Sequence, residues 1–102
     1  MIIYRVTAVV PATIVQEWLS WMLEVHIPEV LATGCFFGNA IHRCLDENVI
    51  ETTFVINYHA SSMEHYQRYA SQHAPTLQSK HTNKYGALVA ASRMLLTDCL
   101  SD

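Results

Sequence analysis

Apolar and other residues alternate along the opening stretch "IIYRVTAVV". Ile2, Tyr4, Val6, Ala8 and Val10 fall on one side of an extended chain and Ile3, Arg5, Thr7 and Val9 on the other. The pattern predicts a strand with one apolar face and one mixed face. Pro11 closes it, and Thr13 with Gln16 three residues later has the form of a capping box that opens a helix. Ile14, Trp18, Trp21, Met22 and Val25 then recur at helical spacing. Pro28 lacks an amide donor and its ring crowds the preceding turn. The helix is therefore expected to kink or stop near Val25 to Ile27 before "EVLA" resumes and Gly34 ends it.

"CFFGNAIHRC" predicts a second strand, with Gly38 at a bulge or a close approach, and "DEN" turns the chain into "VIETTFVINYH". In that third strand Ile50, Thr52, Phe54, Ile56 and Tyr58 oppose Val49, Glu51, Thr53, Val55, Asn57 and His59. Ser61 with Glu64 reads as a second capping box, opening a helix through Tyr66, Tyr69 and Ala70 toward His73, where Pro75 repeats the earlier interruption. "ALVAASRMLL" after Gly86 is the last strand, and residues 98–102 are expected to fray.

The order strand, helix, strand, strand, helix, strand is the split βαβ plan of an α+β, ferredoxin-like domain, here over residues 1–97: a four-stranded antiparallel sheet with two helices on one face. A shift of 47 positions carries Ile3 to Ile50, Met22 to Tyr69, His26 to His73, Pro28 to Pro75 and Val30 to Leu77, a weak internal repeat that suits the fold's pseudo-twofold axis. Two helices leave the other sheet face bare. There Arg5, Glu51 and Arg93 are expected among Val9, Val55 and Ala91, as charges of an interface. Such a face is too apolar to suit water over its whole area, so a homodimer through the open sheet face is predicted.

Composition narrows the function classes. The 102 residues are 51% hydrophobic and 15% charged, as in one globular domain. Six basic against nine acidic residues, without a basic run, leave no footprint for nucleic acid. No apolar stretch approaches the roughly 18 residues that would span a bilayer, and the start shows no signal-peptide pattern, so no membrane partner and a cytoplasmic location are expected. Cys35, Cys44 and Cys99 are odd in number and lack a Cys-x-x-Cys pair, which points to ordinary thiols.

His26 and His73 are the sharpest candidates for chemistry. Each stands two residues before a proline, where a broken helix leaves backbone carbonyls without their usual donors. A ring N–H bonded to one of these would fix the tautomer and aim the other nitrogen into a pocket, as ligand contact or general base; the same geometry serves as a plain cap. A single site shared by both forms only if the two helices cross nearby. Trp18, Trp21, Tyr66 and Tyr69 recur at spacings that suit a core or an aromatic wall over the sheet. His26 with Glu29, and His59, His65 and His81 elsewhere, offer nitrogens for a metal at poor spacing; His73 and His81 lie about 12 Å apart along a straight helix. No His-Glu-x-x-His, phosphate loop, Gly-x-Ser-x-Gly elbow or dinucleotide fingerprint occurs, so no metal and no cofactor are predicted.

The runs "WLSWMLEVHIPEVLATG", "YQRYASQHAPTLQSKH" and "MIIYRVT" resemble, over nearly the whole chain, a family of short bacterial proteins recorded only as a domain of unknown function and similar to the dimeric α/β-barrel group. The resemblance implies a ferredoxin-like fold and a dimer, and it brings no established activity. "CFFGNAIHRCLDEN" departs from the family pattern, so no role carries over to Cys35, His42 or Cys44. The combined expectation is a homodimer that binds a small apolar or aromatic molecule in a pocket lined by Trp18, Met22, His26, Tyr69 and His73. One rival is a cofactor-free monooxygenase-like or isomerase-like enzyme with His26 or His73 as base and a tyrosine holding the oxyanion. A second is an association module without a pocket.

Overall fold

The computed structural model describes residues 1–46 and 52–99. Four strands, β1 (Ile2–Val10), β2 (Gly38–Arg43), β3 (Thr52–Ala60) and β4 (Ala90–Thr97), form one antiparallel sheet in the order β2-β3-β1-β4. Two helical stretches lie between β1 and β2 and between β3 and β4, giving the ferredoxin-like α+β plan. Among the described residues, no helix is long and apolar enough to cross a membrane.

Pairing sets which side chains share a face. Tyr4 stands opposite Tyr58, Val6 opposite Ile56 and Ala8 opposite Phe54. All except half-buried Val6 are buried beneath the helices, where Trp18, Met22, Ile27, Val30, Tyr69 and Leu77 meet them. Alternation along β1 and β3 thus supplies the floor of the core, and the helical rows supply its roof. On the other face Ile3, Thr7, Val9 and Val55 are half-buried, and the Arg5 Nε–H donates to Asn57 Oδ1 at 2.9 Å.

β4 corrects one expectation. The register places Met94, not Arg93, opposite Arg5, while Arg93 faces Val6 and Ala91 faces Ala8. Arg93 and Ala91 therefore belong to the helix side of the sheet and take no part in a charge group with Arg5. Glu51, the third member of that group, lies outside the described residues, as do Ile50 and most of the "DEN" turn.

Other local expectations change as well. Thr13 and Gln16 do not form a capping box: the chain after Pro11 makes a 3-10 turn over Ala12–Ile14, closed by the Ile14 N–H donating to the Pro11 carbonyl at 3.1 Å. The second cap is Ser62, not Ser61, with its hydroxyl 3.4 Å from the His65 amide it accepts from. Gly38 pairs with His59 in plain register, without a bulge, and a Cβ there would make only an ordinary contact. Gly34 does end the first helical stretch, at φ 77°, a conformation suited to glycine. A 3-10 turn over Gly86–Leu88 delays the last strand to Ala90. Beyond β4, Asp98 accepts from the Met1 ammonium at 3.0 Å.

Candidate functional site between helices and sheet

The two His-x-Pro interruptions are built differently. The first helical stretch runs as α1 (Val15–Trp21), a five-residue π turn (Met22–His26) and α2 (Ile27–Ala32), with helical backbone angles at both junctions. The Ile27 N–H donates five residues back, to the Met22 carbonyl. Pro28 cannot donate to Glu24, and a wider turn gives its ring room without ending the helix. Trp18, Met22, His26 and Val30 recur every four residues, a row that drifts by about 40° per step in a regular helix. The wide turn takes up part of that drift and keeps the row above the sheet.

The second stretch breaks outright. α3 (Met63–Gln72) ends at His73, whose φ of −124° is not helical, and α4 (Ala74–Tyr85) starts anew with Pro75 in its first turn. Proline is tolerated there because its missing N–H has no partner to lose. The row Ala74, Gln78, His81, Tyr85 of α4 then follows 3.6-residue spacing toward the first helical stretch.

These rows enclose a hollow against the sheet. Its floor is Tyr4, Val6, Ala8, Ile56 and Tyr58. Trp18, Met22, His26, Tyr69, Gln78 and His81 wall it, with Ala91 and Arg93 of the uncovered edge strand at its mouth. Its room for water-sized molecules is about 30 Å³, and the empty space there, including solvent at the open mouth, is about 450 Å³.

Polar groups in it are few and aligned. Buried Trp18, 0% exposed, donates its indole N–H to His81 Nε2 at 3.0 Å. His81 can accept that bond only with its proton on Nδ1. Burial and then the nearby Arg93 charge lower its pKa, which favours the neutral ring. His26 lies with its ring centroid 6.0 Å from that of His81 and stacked on Trp21 at 5.1 Å. Burial, reinforced by His81 and opposed by Glu29, lowers its pKa to about 4. Its buried Nδ1 has no hydrogen-bond partner among the described residues. Burial raises the Tyr4, Tyr58 and Tyr69 phenols above their ordinary range, so they are protonated at neutral pH. The Arg93 Nε–H donates to the Tyr4 hydroxyl oxygen at 3.1 Å.

A family model described as "Domain of unknown function (DUF4286)" matches residues 1–99. The chain belongs to that family. Among solved structures this DUF4286 chain is similar to an ethyl tert-butyl ether d (ethd) family protein from Bacillus halodurans, at 11% identity and TM-score 0.69, covering 97% of this chain and 100% of that one. A proposed antibiotic biosynthesis monooxygenase from Deinococcus radiodurans also has 11% identity and TM-score 0.69, with 100% and 96% covered. A dimeric ferredoxin-like protein from an uncultured marine organism has 11% identity and TM-score 0.68, with 97% of both chains covered. At such identities the likeness establishes the fold. No curated protein matches the chain by sequence.

Of the five residues expected to line a pocket, Trp18, Met22, His26 and Tyr69 surround this hollow. His73 does not: it sits half-buried on an open cleft with Glu29, Thr33 and Thr76, its ring 6.5 Å from that of Tyr69. His26 therefore meets His81 rather than its sequence counterpart His73. Sequence reasoning named His81 only as a poorly spaced metal nitrogen, although its place in the α4 row marked it as inward, and put Arg93 on the open face because the phase of β4 was assigned wrongly. Among the described residues, no three His, Cys, Asp or Glu side chains are arranged to hold a metal ion.

Proposed function

We propose that this DUF4286 chain is a homodimer that binds a small planar molecule in the hollow between helices and sheet. The observation that carries the proposal is the His26 ring, with a buried and unpartnered Nδ1, in the wall of an otherwise aromatic and apolar hollow. A buried polar atom without a partner costs about 1–3 kcal/mol, and a ligand group that pairs with Nδ1, as donor or acceptor according to the tautomer, would recover it. The dimer draws support from the fold neighbour described as dimeric and from the second sheet face, where Met94, 53% exposed, lies beyond Ile3, Val9 and Val55. A site on the helix side stays accessible when that face is covered. Unpaired Cys35, Cys44 and Cys99 suit a reducing compartment, which supports a cytoplasmic location.

A second, enzymatic reading has its own support. His26 is unprotonated at physiological pH, and with its pKa lowered to about 4 it is a weak base that takes a proton only from a strongly acidic enol or phenol, while protonated phenols stand nearby to hold the oxyanion that forms. One fold neighbour is described as a proposed antibiotic biosynthesis monooxygenase.

Native mass spectrometry of untagged protein, purified without chelator, tests the proposal. The expected result is a dimer retaining a stoichiometric small mass that is lost in His26→Ala, with the dimer intact. A monomer would contradict the face-to-face assembly, and retention of the mass by His26→Ala would remove the site from this hollow.

A further inference from the structure

Arg93 is the one charged side chain in the hollow among the described residues. It stands at the mouth on an exposed edge strand, and the residue is exposed while its Nε–H is fixed on Tyr4 in a partly buried bond. Among the described residues no carboxylate lies within ion-pair distance of it; Glu29, the nearest acidic influence on the hollow, is held by Lys80 at 2.7 Å. One of its five N–H donors is spent on Tyr4, and the remaining four are free to meet a planar acceptor.

The interior agrees with this polarity. Among the described residues it contains no acidic group, its imidazoles have lowered pKa values that favour the neutral ring, and its phenols are protonated. The Arg93 charge is the fixed charge that acts on His81, Tyr4 and Tyr69, whereas at His26 Glu29 opposes it. The rings of Tyr4 and Tyr58 in the floor and of Tyr69 and Trp18 in the walls give flat apolar surfaces against which a planar ring can lie, with its head group at the mouth.

We infer that the hollow takes a small planar monoanion, an aromatic or enolic carboxylate or an equivalent oxyanion, and that Arg93 reads its charge while the His26 ring pairs with a polar group at its far end. The inference rests on the binding proposal above and names the ligand class for the same site. A guanidinium at the rim attracts anions from solvent and orients them bidentately before the ring enters. Neutral or cationic rings of the same shape gain nothing from it.

The test is a titration of the Trp18 indole resonance and of tryptophan fluorescence with benzoate, with its neutral isostere benzamide, and with benzylamine. Wild type is expected to bind benzoate about tenfold more tightly than benzamide, since a charge-assisted pair at an exposed rim is worth roughly that factor. Benzylamine is expected to bind most weakly. Arg93→Met is expected to level benzoate with benzamide, and Arg93→Lys to keep part of the preference; thermal melts close to wild type show that both variants fold. Equal binding of benzoate and benzamide by wild type, or a preference that survives Arg93→Met, overturns the anion assignment and leaves the binding proposal standing. Silence of all three probes at Trp18 counts against both.

Discussion

His26-Ile27-Pro28 and His73-Ala74-Pro75 share one spacing and sit at corresponding places in the two halves of the chain, yet they come to different ends. At the first, the helix widens into a π turn and continues, and the histidine remains in a row above the sheet, ring to ring with His81. At the second, the helix stops and restarts, and the histidine is left on an open cleft. Proline imposes the same deficit at both, one missing donor and one crowded turn. What the chain does about the deficit decides where the side chain two residues earlier points. A motif shared by two halves of a molecule is thus weak evidence for a shared role.

The largest expected contrast between the two regions is in stability. Trp18 is fully buried over Phe54 with its N–H on His81, so Trp18→Ala is expected to cost about 3–5 kcal/mol in urea unfolding. His73→Ala, at the open cleft, is expected to cost about 1 kcal/mol or less. Equal costs would erase the distinction between a structured site and a surface break.

A smaller effect concerns pH. His26 and His81 have lower pKa values folded than the ordinary 6.5. Below 6.5 the unfolded chain therefore binds protons that the folded chain refuses, and protonation favours unfolding. Their contribution to stability is full above about pH 6.5 and is lost as pH falls toward about 4, the folded value for His26. The urea midpoint is expected to drop between pH 7 and pH 4.5, and His26→Phe is expected to flatten that drop. A profile indifferent to His26→Phe would show that the first region does not hold its imidazole as described.

Much of this was legible in the residues. Alternation in "IIYRVTAVV" and in "TTFVINY" assigns Tyr4, Ala8, Phe54, Ile56 and Tyr58 to one face, because a side-chain period of two follows from strand geometry alone. Trp18, Met22 and Tyr69 declared themselves by helical spacing. What escaped were relations between distant segments. Whether Arg93 joins Arg5 or Tyr4 depends on how β4 registers against β1, nearly the whole chain away, and one residue of slip turns every side chain over. The 47-residue repeat fails in the strands for the same reason: it carries Thr7 on the open face to Phe54 in the core. The meeting of His26 with His81 depends on the approach of two helices, which neither helix's own pattern reveals. Pro28 marked an interruption, but whether a helix widens or breaks there depends on the contacts holding the following turn.

The central claim is that the working histidine is His26, beside His81 and Trp18, and that the cleft at His73 is a surface feature. The most direct test is a map of backbone and indole NMR shifts during addition of benzoate. The account predicts that the Trp18 indole N–H and the signals around His26, His81 and Arg93 move together and saturate, with Gln72, His73 and Thr76 unmoved. Saturable shifts centred on His73 and Thr76, with the Trp18 indole still, would contradict it.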